Sequence, residues 1–346
     1  MTSKGNEYRI AVMDGVDYSA FRDQLMCHAG DLRVAADDKT SVSFGEGEQD
    51  MLAGLMRSYD CAVIRSKTRF RQALYDCGRI SLIIRAGSGL DNIDLAVAQE
   101  NNIEVRNTPA ANSIAVAEVV QAMALSSGRR LFETVSKLQL YKGKNAHTAV
   151  KKGYNACGVE ESSATVIGCG SIGKEVASRF LMAEMDLTLY DALMRADDVR
   201  RELDKHLRSK GWDYEYIYAL ETADSLEEAV EGRDLVTIHV PLTEYTKGMI
   251  VEKHIKLMNK GATLINTSRQ GIVDEQDLYD NLDRIGMYFT DLNIIHEGLA
   301  AAAKDRHNHR IVQTPHICAN TRQAQIKAAK MAADTVIEFL AQKKGL

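Results

Sequence analysis

Short apolar runs recur along the chain, and most are followed by a polar or glycine corner and then by an amphipathic segment of helix length. The runs predict strands at 8–13, 61–64, 81–84, 164–167, 187–190, 235–240, 263–265 and 287–290. They are continuous rather than alternating, so both faces of each strand are expected to be covered, the condition of parallel sheets built from βα units. Two longer stretches carry helical spacing. One spans 114–131, after the extended corner Asn107-Thr108-Pro109 and without a breaker until Gly128; the other spans 322–343. The first is read as a long helix between domains, and the second returns the chain to the first domain. The expected class is α/β: two doubly wound parallel-sheet domains with a cleft between them, formed by residues 1–106 with 319–346, and by 107–318.

Composition agrees with two domains. A chain of 346 residues, 45% of them hydrophobic, exceeds what one core usually supports and suffices for two. The net charge of -5, with basic and acidic residues interspersed, leaves no broad basic field, so neither nucleic acid nor an anionic membrane is an expected partner. No apolar run approaches the roughly 20 residues needed to span a bilayer, and residues 1–8 are polar, so a cytoplasmic location is expected. Cys27, Cys61, Cys77, Cys157, Cys169 and Cys318 lie far apart without metal spacing. They read as reduced and mostly structural, with no metal site.

The run 164–167 leads into Gly168-Cys169-Gly170-Ser171-Ile172-Gly173, with Val176 and Phe180 following on one helical face. Strand, glycine turn and helix in that order form a dinucleotide fingerprint. Gly168 permits the tight turn, Gly170 lets the backbone approach a pyrophosphate, Gly173 allows close helix packing, and the helix start at Ser171 and Ile172 faces the phosphates. Asp191 ends the next strand, at the spacing where a carboxylate accepts from adenosine ribose hydroxyls and repels a 2'-phosphate. NAD is therefore expected over NADP, and the domains are read as Rossmann-like.

Interconverting a 2-hydroxy and a 2-oxo acid calls for a cation to fix the carboxylate, and for a proton donor beside the carbonyl oxygen, held charged by a neighbouring carboxylate. The chain offers Asn266-Thr267-Ser268-Arg269-Gln270-Gly271 after one strand, Asp291 after the next with Glu297 beyond it, and Thr314-Pro315-His316 after a third. All follow strand ends, where open α/β sheets bind ligands. In this order, and over nearly the whole chain from about residue 60 onward, the motifs resemble the D-isomer-specific 2-hydroxyacid dehydrogenase family.

The resemblance implies that Arg269 binds the substrate carboxylate, that His316 is the acid/base, that Glu297 orients it, and that Thr267 and Asp291 stand at the cofactor. It implies that Ser88 and Gly89, within RAGSGLDNID at 85–94, offer backbone N–H groups to the substrate carboxylate. It also implies that NTPAANSIAVAE at 107–118 crosses into the long helix, that His239, Pro241 and Thr246 pass beneath the nicotinamide, and that two copies pair as a homodimer through the NAD domain. The chain departs from the family in four places. Where the family reads D-V-F-x-x-E-P, this chain runs from Asp291 to His296, Glu297 and Gly298, so Glu297 is displaced by one and His296 stands at the expected place. After His316, Cys318 and Ala319 replace two small glycines. The stretch 151–163 differs from the usual lead into the glycine strand. Residues 192–224 form a longer connection, read as a charged, solvated helix without chemistry.

Arg65-Ser66-Lys67-Thr68 follows an apolar strand and resembles the R-S-x-T element that phosphoglycerate dehydrogenases use near the substrate phosphate. Arg65 and Ser66 are thus expected at a second anionic group of the substrate. A guanidinium grips such a group through two parallel hydrogen bonds, with Lys67 as an auxiliary charge. The implied reaction is NAD-dependent oxidation of 3-phospho-D-glycerate to 3-phosphohydroxypyruvate, in serine biosynthesis, by a short form without a C-terminal regulatory domain. Two other readings stay open: a glyoxylate/hydroxypyruvate reductase or other D-2-hydroxyacid dehydrogenase, and a non-catalytic NAD-sensing scaffold resembling transcriptional corepressors of the same fold.

Overall fold

The computed structural model describes residues 7–141, 143–160, 162–212, 220–305 and 307–345. The polar start at 1–6 and residues 213–219 of the charged connection lie outside them. Contacts divide the chain into two compact units, Met1–Asn112 with Asn320–Leu346, and Ser113–Ala319.

The first unit holds a parallel sheet of β1 (Tyr8–Met13), β2 (Val34–Lys39), β3 (Cys61–Ile64), β4 (Leu82–Arg85) and β5 (Glu104–Asn107), in the order β2-β1-β3-β4-β5. Side chains alternate across it with the period of two that a strand imposes. Cys61 and Val63 face a core with Phe21, Leu25 and Val336, whereas Ala62 and Ile64 face another with Leu52, Met56 and Phe70. Burial on both faces is why these strands read as unbroken apolar runs. The last helix, Arg322–Lys344, turns Ala328, Ala329, Ala332 and Ala333 inward, small side chains that let it lie close to the helix Tyr18–His28.

The second unit holds β6 (Ser163–Ile167), β7 (Asp186–Tyr190), β8 (Leu220–Thr222), β9 (Leu235–Ile238), β10 (Ala262–Asn266), β11 (Ile285–Thr290) and β12 (Ile311–Gln313), all parallel, in the order β12-β11-β10-β9-β6-β7-β8. The chain moves outward from β6 to β8 and then returns to the other side of β6 as β9. That reversal falls at the C-terminal ends of β6 and β9, the position where sheets of this kind bind ligands.

The helix expected at 114–131 is Ser113–Gly128, and Arg130, at φ +48, separates it from a second helix, Leu131–Leu140. Val116, Ala117, Val120 and Ala124 of the first are buried with Val176 and Phe180 of the helix Ser171–Met182. Strand β9 ends at Ile238 rather than at 240. Four strands carry no apolar run: β2, β5, β8 and β12. Each is the edge of its sheet, where half-burial lets residues such as Asp37, Asp38, Glu104 and Glu221 into the strand.

Candidate active site

At the end of β6 the backbone turns at Gly168, φ +95, where a Cβ would stand 2.7 Å from the His239 carbonyl oxygen. A Cβ on Gly173 would fall 1.8 Å from the Gly168 carbonyl oxygen, whereas one on Gly170 would meet nothing within 4 Å. The turn therefore demands glycine at 168 and 173 for packing and leaves open space at 170. Gly170 caps the helix Ser171–Met182 without a side-chain bond, so the first-turn N–H groups, which have no partner within a helix, are left to a ligand. Asp191, at the exit of β7, accepts the Cys169 N–H on Oδ2 at 2.9 Å and the Leu193 N–H on Oδ1 at 3.0 Å. It braces the glycine turn, and each oxygen keeps a further lone pair for a hydroxyl.

Adjacent strands β9 and β10 bring a second group together. Ser268 Oγ donates to the Ile238 carbonyl at 2.7 Å, tying the exit of β10 to the end of β9. His239 Nε2 lies 2.9 Å from Thr237 Oγ1, and burial pushes its imidazole down to about 3, so the ring is neutral. His239 Nδ1, Thr267 Oγ1 and Gln270 Nε2 are buried with no partner among the described residues. Three polar atoms left in this state beside a glycine turn suit a ligand rich in hydroxyl and amide groups, as a dinucleotide is. Gln270 was not singled out as a site residue, and its only signal was an amide beside Arg269. Asn266 fixes the loop, accepting the Ser268 N–H at 3.0 Å and donating to the Arg269 carbonyl at 3.0 Å, and the Arg269 guanidinium donates to the Ser268 carbonyl at 2.7 Å. The Thr246 hydroxyl donates to the Pro241 carbonyl at 2.6 Å and closes the exposed loop after β9.

His316 is exposed and sits at φ +58 in the turn after β12. The buried Asp291 carboxylate, at the end of β11, accepts from the Thr314 hydroxyl, from the Ile317 N–H at 2.8 Å and from the Cys318 N–H at 2.8 Å. Burial and the adjacent Asp291 charge push the Cys318 thiol up. Glu297 is exposed at the start of the helix Glu297–Lys304. His296 caps that helix, Nδ1 accepting the Leu299 N–H at 3.1 Å and Nε2 lying 3.1 Å from Gln276 Oε1, while its backbone N–H is held by Glu275 at 2.7 Å. Among the described residues no ion pair joins His316 to Glu297.

In the first unit, Arg65 is half-buried while Ser66 and Lys67 are exposed, in a loop that begins where β3 ends. The neighbouring loop after β4 carries Gly87 at φ +147 and then Ser88 and Gly89. Ser88 Oγ donates to Asn112 Oδ1 at 2.8 Å, and its carbonyl accepts from Asn107 Nδ2 at 2.6 Å. Asp14, which sequence reasoning passed over, supports the loop of Arg65, its only mark being the Asp-Gly pair after β1.

All six cysteines are free, and among the described residues no group of three His, Cys, Asp or Glu side chains is placed to hold a metal. Among those residues no helix is long and apolar enough to cross a membrane.

Residues 121–318 match the sequence profile of the D-isomer specific 2-hydroxyacid dehydrogenase, NAD binding domain. The hydroxypyruvate reductase of Thermotoga maritima is 31% identical over 92% of this chain and 94% of that protein. The D-3-phosphoglycerate dehydrogenase of Methanocaldococcus jannaschii is 28% identical over 87% of this chain but only 53% of its own length. The chain thus spans about half of that longer relative. The NAD+-bound 3-phosphoglycerate dehydrogenase of Entamoeba histolytica shares the fold, with a TM-score of 0.72 at 22% identity, covering 97% of this chain and 96% of that one. The glycine turn and the reversal of strand order between β6 and β9 agree with the profile match and with the 31% identical relative, and the chain belongs to the D-isomer specific 2-hydroxyacid dehydrogenases, NAD-dependent oxidoreductases.

Proposed function

We propose that the protein oxidises a D-2-hydroxy acid to its 2-oxo acid and runs the reverse reduction, on a substrate with a second anionic group, 3-phospho-D-glycerate being the leading candidate. Residues 107–318 hold NAD in this reading, and 1–106 with 319–346 bind the substrate. The observation that carries it is the row of strand ends β6, β9, β10 and β12, which bears in turn the glycine turn, His239, Arg269 and His316.

Arg269 takes the substrate carboxylate through parallel hydrogen bonds. His316 accepts the hydroxyl proton as the C2–H bond breaks, and returns it in reduction. NAD, when bound, would take up the hydride that leaves C2 of the acid, and NADH would return it in reduction. Gly170 and the helix start at Ser171 and Ile172 would hold its pyrophosphate in the turn that Gly168 and Gly173 shape, Asp191 its ribose, and His239, Pro241, Thr246, Thr267 and Asp291 its nicotinamide half. Glu297 is the residue assigned to orient the His316 ring. Arg65 and Ser66 grip the second anionic group, which would place the enzyme in serine biosynthesis.

A hydroxypyruvate or glyoxylate reductase is the second reading, favoured by the Thermotoga maritima relative that matches over 94% of its length. NADH oxidation by purified protein against 3-phosphohydroxypyruvate, hydroxypyruvate, glyoxylate and pyruvate separates the two. Preference for the phosphorylated acid, lost in Arg65→Ala, supports the first; preference for an unphosphorylated acid selects the second. Tight NADH binding without turnover of any acid favours the scaffold instead. A homodimer is part of the proposal, supported by the helix Leu131–Leu140, which buries none of its residues and exposes Leu131 and Val135; sedimentation velocity tests it.

A further inference from the structure

One carboxylate oxygen gathers three backbone N–H groups of the loop after β3. Asp14 leaves β1 in the left-handed region, φ +59, and is 5% exposed. Its Oδ2 accepts the backbone N–H groups of Arg65 at 3.0 Å, Lys67 at 2.8 Å and Thr68 at 3.1 Å. Asn92 Nδ2 holds carbonyls of the same loop, Arg65 at 2.9 Å and Thr68 at 2.7 Å. The Thr68 side chain is fully buried, and its hydroxyl accepts the Phe44 N–H at 3.3 Å. Arg65 Nη1 lies 3.5 Å from the Gly15 carbonyl, beside Asp14 itself.

Three of the four N–H groups at 65–68 are therefore spent on Asp14. A loop in this state does not wrap an anion in its backbone, as successive N–H groups of a glycine-rich nest do. What it presents is side chains: the half-buried Arg65 and the exposed Ser66 and Lys67. Charge-assisted bonds to a buried carboxylate are roughly twice as strong as neutral ones, so the loop is shaped before any ligand arrives. That spares an ordering cost on binding.

We infer that Asp14 is a positioning residue for substrate selection, which by fixing the backbone at 65–68 presets the Arg65, Ser66 and Lys67 side chains as the grip for a second anionic group on the acid. The inference rests on the reading of this loop as the site of that group. Asp14 touches no substrate; it acts through Arg65.

The test is the ratio of kcat/KM for 3-phosphohydroxypyruvate to that for hydroxypyruvate, in the wild type and in Asp14→Asn, Asp14→Gly, Asn92→Ala and Arg65→Ala. Asn and Gly both adopt positive φ readily, so these variants keep the turn while removing the charge or the whole side chain. Arg65→Ala is expected to lower the ratio about a hundredfold, as loss of one partner of a charged pair does. Asp14→Asn is expected to lower it about tenfold, with Asp14→Gly lower still, as charged hydrogen bonds are lost. Asn92→Ala, which loosens the loop from its carbonyls, lowers the ratio in the same direction and serves should the Asp14 variants not fold. A merely structural role depresses both acids together: unchanged ratios in the Asp14 and Asn92 variants, with Arg65→Ala responsive, overturn the role of Asp14 and spare that of Arg65. A ratio indifferent to Arg65→Ala overturns both.

Discussion

The Asp291 carboxylate accepts the backbone N–H of Ile317 at 2.8 Å, one residue past His316. With the bonds from Cys318 and Thr314 it holds a turn in which His316 occupies the left-handed region, a conformation that costs on the order of 1–3 kcal/mol. Asp291→Ala should destabilise the protein by about 3 kcal/mol, since hydrogen bonds to a charged group contribute about 1.5–3 kcal/mol each and buried N–H groups are left unmet. Denaturant titration measures this, and a loss within about 0.5 kcal/mol, the range of an ordinary surface change, would show the turn to be held otherwise.

His316→Ala should lower turnover by about a thousandfold, the middle of the range for a general acid or base. NADH binding, followed by fluorescence, should change little. Unchanged turnover removes His316 from the chemistry.

Gly173 and Gly170 should respond differently to the same methyl group. Gly173→Ala meets a backbone oxygen that cannot swing away, and about 2 kcal/mol of stability should be lost by overpacking. Gly170→Ala enters open space. It should leave the melting temperature alone yet weaken NADH binding, because the methyl stands where a pyrophosphate approaches. Equal effects on stability would contradict this division of labour.

Asp191→Ala should relax the preference for NAD over NADP and weaken binding of both, because the same carboxylate braces Cys169 and Leu193. An unchanged ratio of the two affinities would count against a ribose role.

His239 makes stability depend on pH. Burial pushes its folded-state value down to about 3, below the unfolded value near 6.5. Below about pH 6.5 the unfolded chain therefore binds the proton more readily, and stability falls as pH drops from there toward 3. Between pH 7 and 5 its share is about 2 kcal/mol. His206, His254 and His309, also held down by burial, act in the same direction. The difference between wild type and His239→Gln in urea melts at the two pH values isolates this share, and parallel losses would refute it.

The interior strands were legible because β1, β3, β4, β6, β7, β9, β10 and β11 are covered on both faces, and double burial writes a continuous apolar run into the sequence. The glycine turn was legible for a related reason: Gly173 meets Gly168 five residues away, so its constraint is local. Edge strands escaped because Asp37, Glu104 and Glu221 are tolerated where one side of the strand meets solvent. The break at Arg130 escaped because only a backbone angle marks it. His296, read as a candidate for the dyad position, is engaged as a helix cap by Leu299 and Gln276, partners that no motif names.

By itself, then, the sequence determined the α/β class, the interior strands and the dinucleotide turn, since hydrophobic periodicity and steric demand act over a few neighbouring residues. Only the tertiary structure decided the sheet edges, the cap at His296 and the clamp of Asp14 on a loop 51 residues further along. A hydrogen bond between positions so far apart leaves no period in the chain, and it exists only once β1 and β3 lie side by side.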